Sequence, residues 1–302
     1  SPINFYVVLI WYVLIRFQGA NIIKKTYKYC ILWVLKRERK RKLKELSHLS
    51  EIYKNYDTFI IDLWGVIHNG VTLNSSAISA IEQLKNNSKK IVFLSNAPRP
   101  SQDVKEFLKK INMKEKYLNN VITSGEAAMH AINTNKFGKL FYHLGPPRDE
   151  SIYSRIKNNK TQLDKSDFIL CTGLFDDFEN NLDYYKDLLK NHTSKKLICT
   201  NPDLIVHRGD EEEYCAGSIA QIFESLGGKV IYFGKPYKEI YKMCFNSKEK
   251  VLAVGDNLRT DIRGANNLNI DSLFITNGVH RDELRNEIKL DLILKKYGVA
   301  TT

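Results

Sequence analysis

Short apolar runs alternate with segments of helical spacing along most of the chain from residue 46 onward. Residues 58–63 and 90–94 are apolar runs of strand length, and residues 77–84 between them place apolar side chains at helical spacing. Strands that alternate with helices predict βαβ units and a mostly parallel sheet. The pattern therefore predicts an α/β fold.

The alternation continues to residue 275. Further strands are predicted at residues 121–123, 139–143, 167–171, 196–200, 229–233, 251–254 and 272–275. Further helices are predicted at residues 102–111, 124–132, 183–190, 218–226, 236–245 and 261–268. Ser124 is predicted to cap its helix, with Glu126 in the first turn.

Polar side chains follow four of the predicted strands directly. Asp62 ends the first strand and Ser95 ends the second. Lys235 and Asp256 come just after two later strands. Ligands of an open parallel sheet bind beyond the carboxyl ends of its strands. The four clusters are therefore predicted to converge on one site, although they are far apart in sequence.

The acidic positions indicate phosphoryl chemistry with a metal ion. A strand-end carboxylate such as Asp62 can attack phosphorus to form an aspartyl-phosphate. Asp256 and Asp261 lie five residues apart on a loop that enters a helix, and Mg²⁺ takes oxygen ligands, usually one or two carboxylates with water and substrate phosphate. Taken singly, Asp62 also fits a loop carboxylate that binds backbone N–H groups, and Asp261 also fits a helix cap.

Two polar clusters suit a phosphate group. Ser95 and Asn96 offer a hydroxyl and nearby backbone N–H groups at a strand end, and Lys235 is a cation held between a glycine and a proline. Alone, the first cluster is more typical of a simple turn than of a phosphate site, and an isolated lysine is usually solvated. The prediction of a phosphate site therefore depends on all four clusters together.

In this order, the four clusters resemble the four motifs of the haloacid dehalogenase-like superfamily. The run GDNLRTDIRGA at residues 255–265 is similar to that of its class IIA, the NagD-like phosphatases. The runs CTNPD at residues 199–203 and CAGSI at residues 215–219 are similar to this class as well. The similarity covers about residues 50–295.

This resemblance implies a Rossmann-like parallel-sheet core with an inserted α/β cap domain of the C2 type. The core would consist of residues 45–100 and 204–302, and the cap of residues 101–203, with residues 1–44 as an N-terminal extension. The cap would shape the substrate pocket.

The resemblance also implies roles for individual residues. Asp62 would be the nucleophile and a metal ligand. The backbone carbonyl of Trp64 and the carboxylate of Asp256 would also bind Mg²⁺, and Asp261 would support the metal shell. Lys235 would assist catalysis as a cation. Phosphate and substrate contacts would come from Gly65, Ser95, Asn96, Lys235, Asn201 and Asp203.

Trp64 departs from the family pattern. Most phosphatases of the superfamily carry an aspartate at this position, two residues after the nucleophile, as general acid and base. An indole cannot transfer protons at neutral pH, and a positioned acid or base is typically worth about 10²–10⁴-fold in rate. We therefore expect acidic leaving groups, a substitute donor such as His68, or a weak or silent binder of phosphorylated ligands. Dehalogenation of 2-haloacids ranks lower, since it needs no metal and the chain keeps Asp256 and Asp261.

Charge and cysteine content narrow the class of partner. The formal net charge of the 302 residues is +12. Residues 1–44 contain eleven Lys and Arg and one acid, which gives +10 there and leaves +2 for residues 45–302. A nucleic-acid binder should carry its basic surface on the folded domain, so no nucleic-acid partner is predicted.

The five cysteines are widely spaced without a CxxC pair, which favours a reducing, cytoplasmic location.

The N-terminal segment has its own pattern. Residues 5–15 form an unbroken apolar run, and basic residues cluster at 36–44. Eleven apolar residues are too few to span a bilayer as a helix, which needs about 20. The segment fits an anchor with membrane contact through residues 1–35, a fragment, or an artefact.

The predicted function is Mg²⁺-dependent hydrolysis of a small phosphoester, of the sugar-phosphate or nucleotide class. The sequence neither predicts nor excludes a homodimer.

Overall fold

The computed structural model describes residues 46, 48–209 and 211–286. The expectations for the N-terminal extension lie outside these residues. The strands in chain order are β1 Thr58–Ile61, β2 Lys90–Ser95, β3 Val121–Thr123, β4 Phe141–Leu144, β5 Phe168–Cys171, β6 Lys196–Cys199, β7 Ile205–Arg208, β8 Glu211–Tyr214, β9 Lys229–Tyr232, β10 Val251–Gly255 and β11 Asp271–Phe274. The α-helices are α1 Ser75–Asn86, α2 Ser101–Lys110, α3 Ser124–Ile132, α4 Leu182–Leu189, α5 Ala216–Ser225, α6 Lys238–Tyr241, α7 Arg263–Leu268 and α8 Arg281–Asn286.

The strands of the described residues form two parallel sheets and one hairpin. The first sheet has the order β11-β10-β1-β2-β3, the second has the order β4-β5-β6-β9, and β7 and β8 pair as an antiparallel hairpin. All pairs within the two larger sheets are parallel. The prediction of an α/β fold with parallel sheets is confirmed.

Both faces of the first sheet are covered, which explains why its inner strands β1 and β10 are continuous buried runs. Phe59 packs in one cluster with residues of α1 and α2 such as Leu84 and Leu108. Ile60, on the opposite face, packs with Ile240 of α6. In the second sheet, Phe168 and Ile169 likewise belong to separate clusters on opposite faces.

The sheets do not coincide with the predicted domain boundaries. The predicted cap, residues 101–203, includes β3, yet β3 pairs with β2 and completes the first sheet. The predicted core segment, 204–302, includes β9, yet β9 pairs with β6 in the second sheet. The second sheet therefore extends to β9, and α3, which packs on it through Ala128 and Ile132, precedes its first strand.

Three local predictions need correction. Thr123 caps α3, because its hydroxyl accepts from the backbone N–H of Glu126 at 3.0 Å, whereas Ser124 is the first helical residue. The helix predicted at 261–268 begins as a π-helical turn, Leu258–Ile262, before α7. The 236–245 helix is reduced to the single turn of α6.

The hairpin of β7 and β8 was not predicted. Its second strand carries three successive glutamates, which are rare in strands and hide the alternation of apolar residues.

Two further observations concern the chain as a whole. Among the described helices, none combines the length and the apolar character needed to cross a membrane. The described cysteines, Cys171, Cys199, Cys215 and Cys244, are buried and free.

Candidate active site

Asp62 follows β1, the central strand of the first sheet, and Asp256 follows its neighbour β10. β1 lies between β10 and β2, so the chain order reverses at β1. Such a reversal opens a crevice at the carboxyl ends of the strands, where open parallel sheets bind ligands. The backbone N–H of Asp62 donates to the carbonyl of Val254 at 2.9 Å, which extends the pairing and brings the two strand ends together.

Lys235 joins two of the carboxylates in one buried network. Its Nζ donates to Asp62 Oδ1 at 2.5 Å and to Asp261 Oδ1 at 2.6 Å. All three side chains are at least nine-tenths buried. The sequence separates Asp62 and Lys235 by 173 residues, and the structure places them in direct contact.

Asp62, Asp256 and Asp261 offer carboxylate oxygens that all lie within 4.8 Å of one another. Burial and the neighbouring charges of Asp261 and Asp256 raise the pKa of Asp62, although Lys235 opposes this rise. Burial, followed by the charge of Asp261, raises the pKa of Asp256 to about 7. Three carboxylates beside one ammonium leave an excess of negative charge, and the all-oxygen donor set is the one that Mg²⁺ prefers. The residues present therefore fit a divalent cation.

The loop backbones approach these carboxylates closely. Gly65 has φ of +83°, and a Cβ there would lie 2.0 Å from Asp256 Oδ2. A Cβ on Gly255 would lie 2.1 Å from Asp261 Cγ. Asp256 Oδ2 also accepts from the backbone N–H of Val279 at 2.7 Å. Gly65 is thus needed at its position for space and for its backbone conformation.

The side chain of Asn96 holds Lys235 in place through the backbone of the lysine. Asn96 Oδ1 accepts from the Lys235 N–H at 2.8 Å, and Asn96 Nδ2 donates to the Lys235 carbonyl at 3.2 Å. Burial alone would lower the pKa of Lys235, but the carboxylates of Asp261 and Asp62 raise it, so its ammonium stays charged. Asn96 was predicted as a phosphate contact, and the structure places its amide against the backbone of Lys235.

The remaining predicted contacts lie around the same centre. Ser95 is buried, and its hydroxyl accepts from the N–H of Ala97 at 3.2 Å, which leaves the hydroxyl proton for another acceptor. Asn201 Oδ1 accepts from the N–H of Asp203 at 3.0 Å. Asp203 Oδ1 in turn accepts from Asn257 Nδ2 at 3.2 Å, which links the start of the hairpin to the loop that carries Asp256.

His68 is packed as a neutral side chain. Its Nδ1 accepts from the backbone N–H of Gly70 at 3.0 Å, and its ring makes edge contacts with Trp64 and Phe107. Burial and the positive charge of Arg208 lower the pKa of His68 to about 4. His68 is therefore poorly suited to the proton transfer for which it was the nearest candidate by sequence.

One cavity of about 490 Å³ is lined by every residue predicted for the site. Its lining also includes residues that the sequence analysis missed. Arg99, after β2, lies 3.1 Å from Asp149, which precedes the second sheet's strand β5 and is almost fully buried. The hairpin of β7 and β8 lines the cavity as well. The charged residues at 207–213 interrupt the apolar alternation, so no sequence pattern indicated this hairpin.

Comparison with known families decides the assignment. A model described as haloacid dehalogenase-like hydrolase matches residues 59–156, and a second model of HAD-hydrolase-like proteins matches residues 232–299. The two segments contain the four motifs around Asp62, Ser95, Lys235 and Asp256. The chain belongs to the haloacid dehalogenase-like hydrolases.

Individual members of the superfamily agree with this assignment. Phosphoglycolate phosphatase 2 of Arabidopsis thaliana is 24% identical over 267 residues, which cover 77% of this chain and 87% of that protein. Ribonucleotide monophosphatase NagD of Escherichia coli is 33% identical over 88 residues, which cover 28% of this chain and 34% of that protein. A haloacid dehalogenase-like hydrolase of Brucella suis has a related crystal structure, with a TM-score of 0.74 and 29% identity over 82% of this chain and 96% of that one.

The predicted membership in class IIA of the haloacid dehalogenase-like superfamily is confirmed by these matches, and with it the prediction of an enzyme of the phosphatase class. The alternative of a silent phospho-ligand binder is not favoured, because the relatives named here are phosphatases.

Proposed function

We propose that this haloacid dehalogenase-like hydrolase is a Mg²⁺-dependent hydrolase of small phosphoesters, of the sugar-phosphate or nucleotide class. The observation that carries the proposal is the buried contact of Lys235 with Asp62, beside the carboxylates of Asp256 and Asp261. A nucleophilic carboxylate, a fixed cation and an oxygen-rich cation site within one cavity match the needs of phosphoryl transfer.

Asp62 is the proposed nucleophile. One of its carboxylate oxygens attacks phosphorus, the bond from phosphorus to the leaving oxygen breaks, and the electron pair departs on that oxygen. Water then attacks the phosphorus of the aspartyl-phosphate, which breaks the bond to Asp62 and restores its carboxylate. The two protons of the water remain on the released dihydrogen phosphate, so atoms and charges balance. Lys235 holds Asp62 Oδ1 and is close enough to stabilise charge on the phosphoryl group.

Asp62, the carbonyl of Trp64 and Asp256 would hold the Mg²⁺, with Asp261 in support. When bound, the ion would neutralise charge on the phosphoryl oxygens. Ser95 contributes a hydroxyl for a phosphate oxygen, and Asn96 positions Lys235 through its backbone. The second sheet and the hairpin enclose the rest of the cavity, where Asn201 and Asp203 shape the space for the leaving group.

The test is hydrolysis of 4-nitrophenyl phosphate by the full 302-residue chain, with and without Mg²⁺. We expect turnover that EDTA abolishes and that Asp62→Asn reduces by at least about 10³-fold, because the amide cannot attack phosphorus. Asp187→Asn is the matched control, since Asp187 is exposed and pairs with Lys190 outside the cavity. Equal turnover by Asp62→Asn and the unmodified chain would reject the proposed nucleophile.

A further inference from the structure

Trp64 ties the loop after β1 to the hairpin of β7 and β8. Its indole Nε1–H donates to the carbonyl of His207 at 2.8 Å. The Arg208 guanidinium lies 5.3 Å from the centre of the indole ring, a cation–π distance. Gly70 closes the other side of the ring, because a Cβ there would lie 2.7 Å from Trp64 Cζ2. The indole is therefore held on several sides.

The hairpin and the loop are joined at one further point, and the hairpin is braced internally. The backbone N–H of Gly209 donates to the carbonyl of Asn69 at 3.1 Å. Within the hairpin, Arg208 Nε donates to Glu213 Oε1 at 2.6 Å, which fixes the guanidinium beside the ring of Trp64. Both the loop and the hairpin line the cavity that contains Asp62.

The loop after β1 offers no good proton donor to a leaving group. Trp64 cannot transfer a proton, and its Nε1–H is already committed to His207. His68 Nδ1 already accepts from the backbone N–H of Gly70, and its ring is packed against Trp64 and Phe107. Two acids of the cavity are held in ion pairs, Asp149 with Arg99 and Glu213 with Arg208.

We propose that Trp64 is a positioning residue that fastens the hairpin over the phosphate site, and that the enzyme consequently acts on phosphate compounds whose leaving group departs unprotonated. Aryl phosphates and acyl phosphates are the chemical classes that meet this condition. Their leaving phenolate or carboxylate is a stable anion, so the bond from phosphorus to oxygen breaks without a proton transfer. This inference rests on the proposed phosphatase function and orders its substrates: sugar phosphates and nucleotides, whose leaving alkoxide needs a proton, should react more slowly than aryl and acyl phosphates.

A series of esters tests the substrate class. The substrates are acetyl phosphate, 4-nitrophenyl phosphate, phenyl phosphate and glycerol phosphate, assayed with the full chain and Mg²⁺. We expect kcat/KM to fall by about 10²–10⁴-fold from the first two to glycerol phosphate, which is the typical value of a positioned acid. A decrease of less than 10-fold would overturn this part of the proposal.

Trp64→Asp is the informative variant in the same series. It supplies the carboxylate that the family places at this position, so the ratio of the glycerol phosphate rate to the 4-nitrophenyl phosphate rate should rise, even if both absolute rates decrease. An unchanged ratio would show that the leaving-group preference has another origin. If the unmodified chain hydrolyses none of the four, the proposed function fails and the substrate class with it.

Hydrogen exchange tests the positioning role independently of turnover. Trp64→Phe keeps the ring and the backbone carbonyl but removes the donor to His207. We expect amides of 205–209 and 211–214 to exchange about 3–10-fold faster, as the loss of one hydrogen bond allows, and KM to rise more than kcat falls. Arg208→Gln should give the same direction if Trp64→Phe folds poorly.

The matched control is Tyr232→Phe, which removes a donor to Glu224 Oε2 at 2.9 Å, away from the cavity. It should leave exchange in the hairpin unchanged. Unchanged exchange in the hairpin of both Trp64→Phe and Arg208→Gln would overturn the positioning role.

Discussion

Gly65 shows how strongly the site depends on one backbone position. The residue combines φ of +83° with a hypothetical Cβ only 2.0 Å from Asp256 Oδ2. We expect Gly65→Ala to lower the free energy of unfolding by about 2–4 kcal/mol, because strain in the left-handed region adds to displacement of a buried carboxylate. Urea unfolding measures the loss, and a Mg²⁺ titration should show weaker binding.

Gly227→Ala separates these two causes. Gly227 has φ of +88°, but a Cβ there would have no atom within 4 Å. It should cost about 1 kcal/mol through backbone strain alone and leave Mg²⁺ binding unchanged. Equal losses at the two glycines would contradict the argument that Gly65 makes room for Asp256.

At the residue scale, the site could be predicted where chemistry and chain position coincide. Asp62, Lys235 and Asp256 each follow an apolar strand, and parallel strands bring their ends together. The role of Asn96 could not be predicted in this way, because its contact with the backbone of Lys235 depends on a turn 139 residues away. The neutral packing of His68 also depends on distant contacts, such as the ring of Phe107.

At the scale of elements, strands of the two parallel sheets were predicted to within a few residues. The inner strands, such as β1, β5 and β10, are buried on both faces and are therefore plain apolar runs. The hairpin of β7 and β8 is a two-stranded ribbon outside both sheets, and its residues are mostly half-buried or exposed. A charged ribbon lacks the apolar pattern by which a strand is recognised in a sequence.

The Arg99–Asp149 pair links the loop after β2 to the segment before β5. The Arg99 side chain is 34% exposed and that of Asp149 only 3%. Arg99→Met leaves the Asp149 carboxylate buried without its partner. We expect a loss of about 1–3 kcal/mol in urea unfolding, below the value of a fully buried pair because Arg99 is partly solvated. The double variant Arg99→Met/Asp149→Asn should recover part of the loss, and a purely additive loss would contradict this coupling.

His143 makes β4 sensitive to acid. Its ring lies 2.9 Å from Thr172 Oγ1 and 3.3 Å from the Tyr153 hydroxyl, and burial, with the charge of Lys160 opposed by that of Glu150, lowers its pKa from 6.5 to about 4. Between about pH 6.5 and pH 4, His143 is protonated in the unfolded chain but neutral in the folded chain. The stabilisation by neutral His143 is therefore complete above pH 6.5 and decreases as the pH falls.

His143→Gln removes this linkage. Between pH 6.5 and pH 5, the unmodified chain should lose about 2 kcal/mol more unfolding free energy than the variant, measured by urea unfolding at both pH values. His68, whose pKa is also about 4, contributes equally to both proteins. Parallel stability profiles would contradict the assignment of a neutral His143.

At the scale of the whole molecule, the domain boundaries were harder to predict than the elements. A parallel strand has the same apolar pattern in either sheet, so its sequence does not reveal which strand it pairs with. The pairing of residues 93–95 with 121–123 places β3 beside β2, and the pairing of residues 196–199 with 229–232 places β9 beside β6.

Because the same distant segments converge on the proposed cation site, we expect the stability of the molecule to depend on Mg²⁺. Asp62, Asp256 and Asp261 meet only in the folded chain, so a cation that binds all three favours folding. At a Mg²⁺ concentration 100 times its Kd, the gain in unfolding free energy should be about 2.7 kcal/mol, visible as a higher Tm.

Without Mg²⁺, Asp256→Asn should have a higher Tm than the unmodified chain, because burial and the charge of Asp261 disfavour the Asp256 carboxylate. With Mg²⁺ the order should reverse, since the variant has lost a ligand. Asp187→Asn should follow the unmodified chain in both conditions. An identical Mg²⁺-induced rise in Tm for Asp256→Asn would place the ion elsewhere and remove the metal from the proposed site.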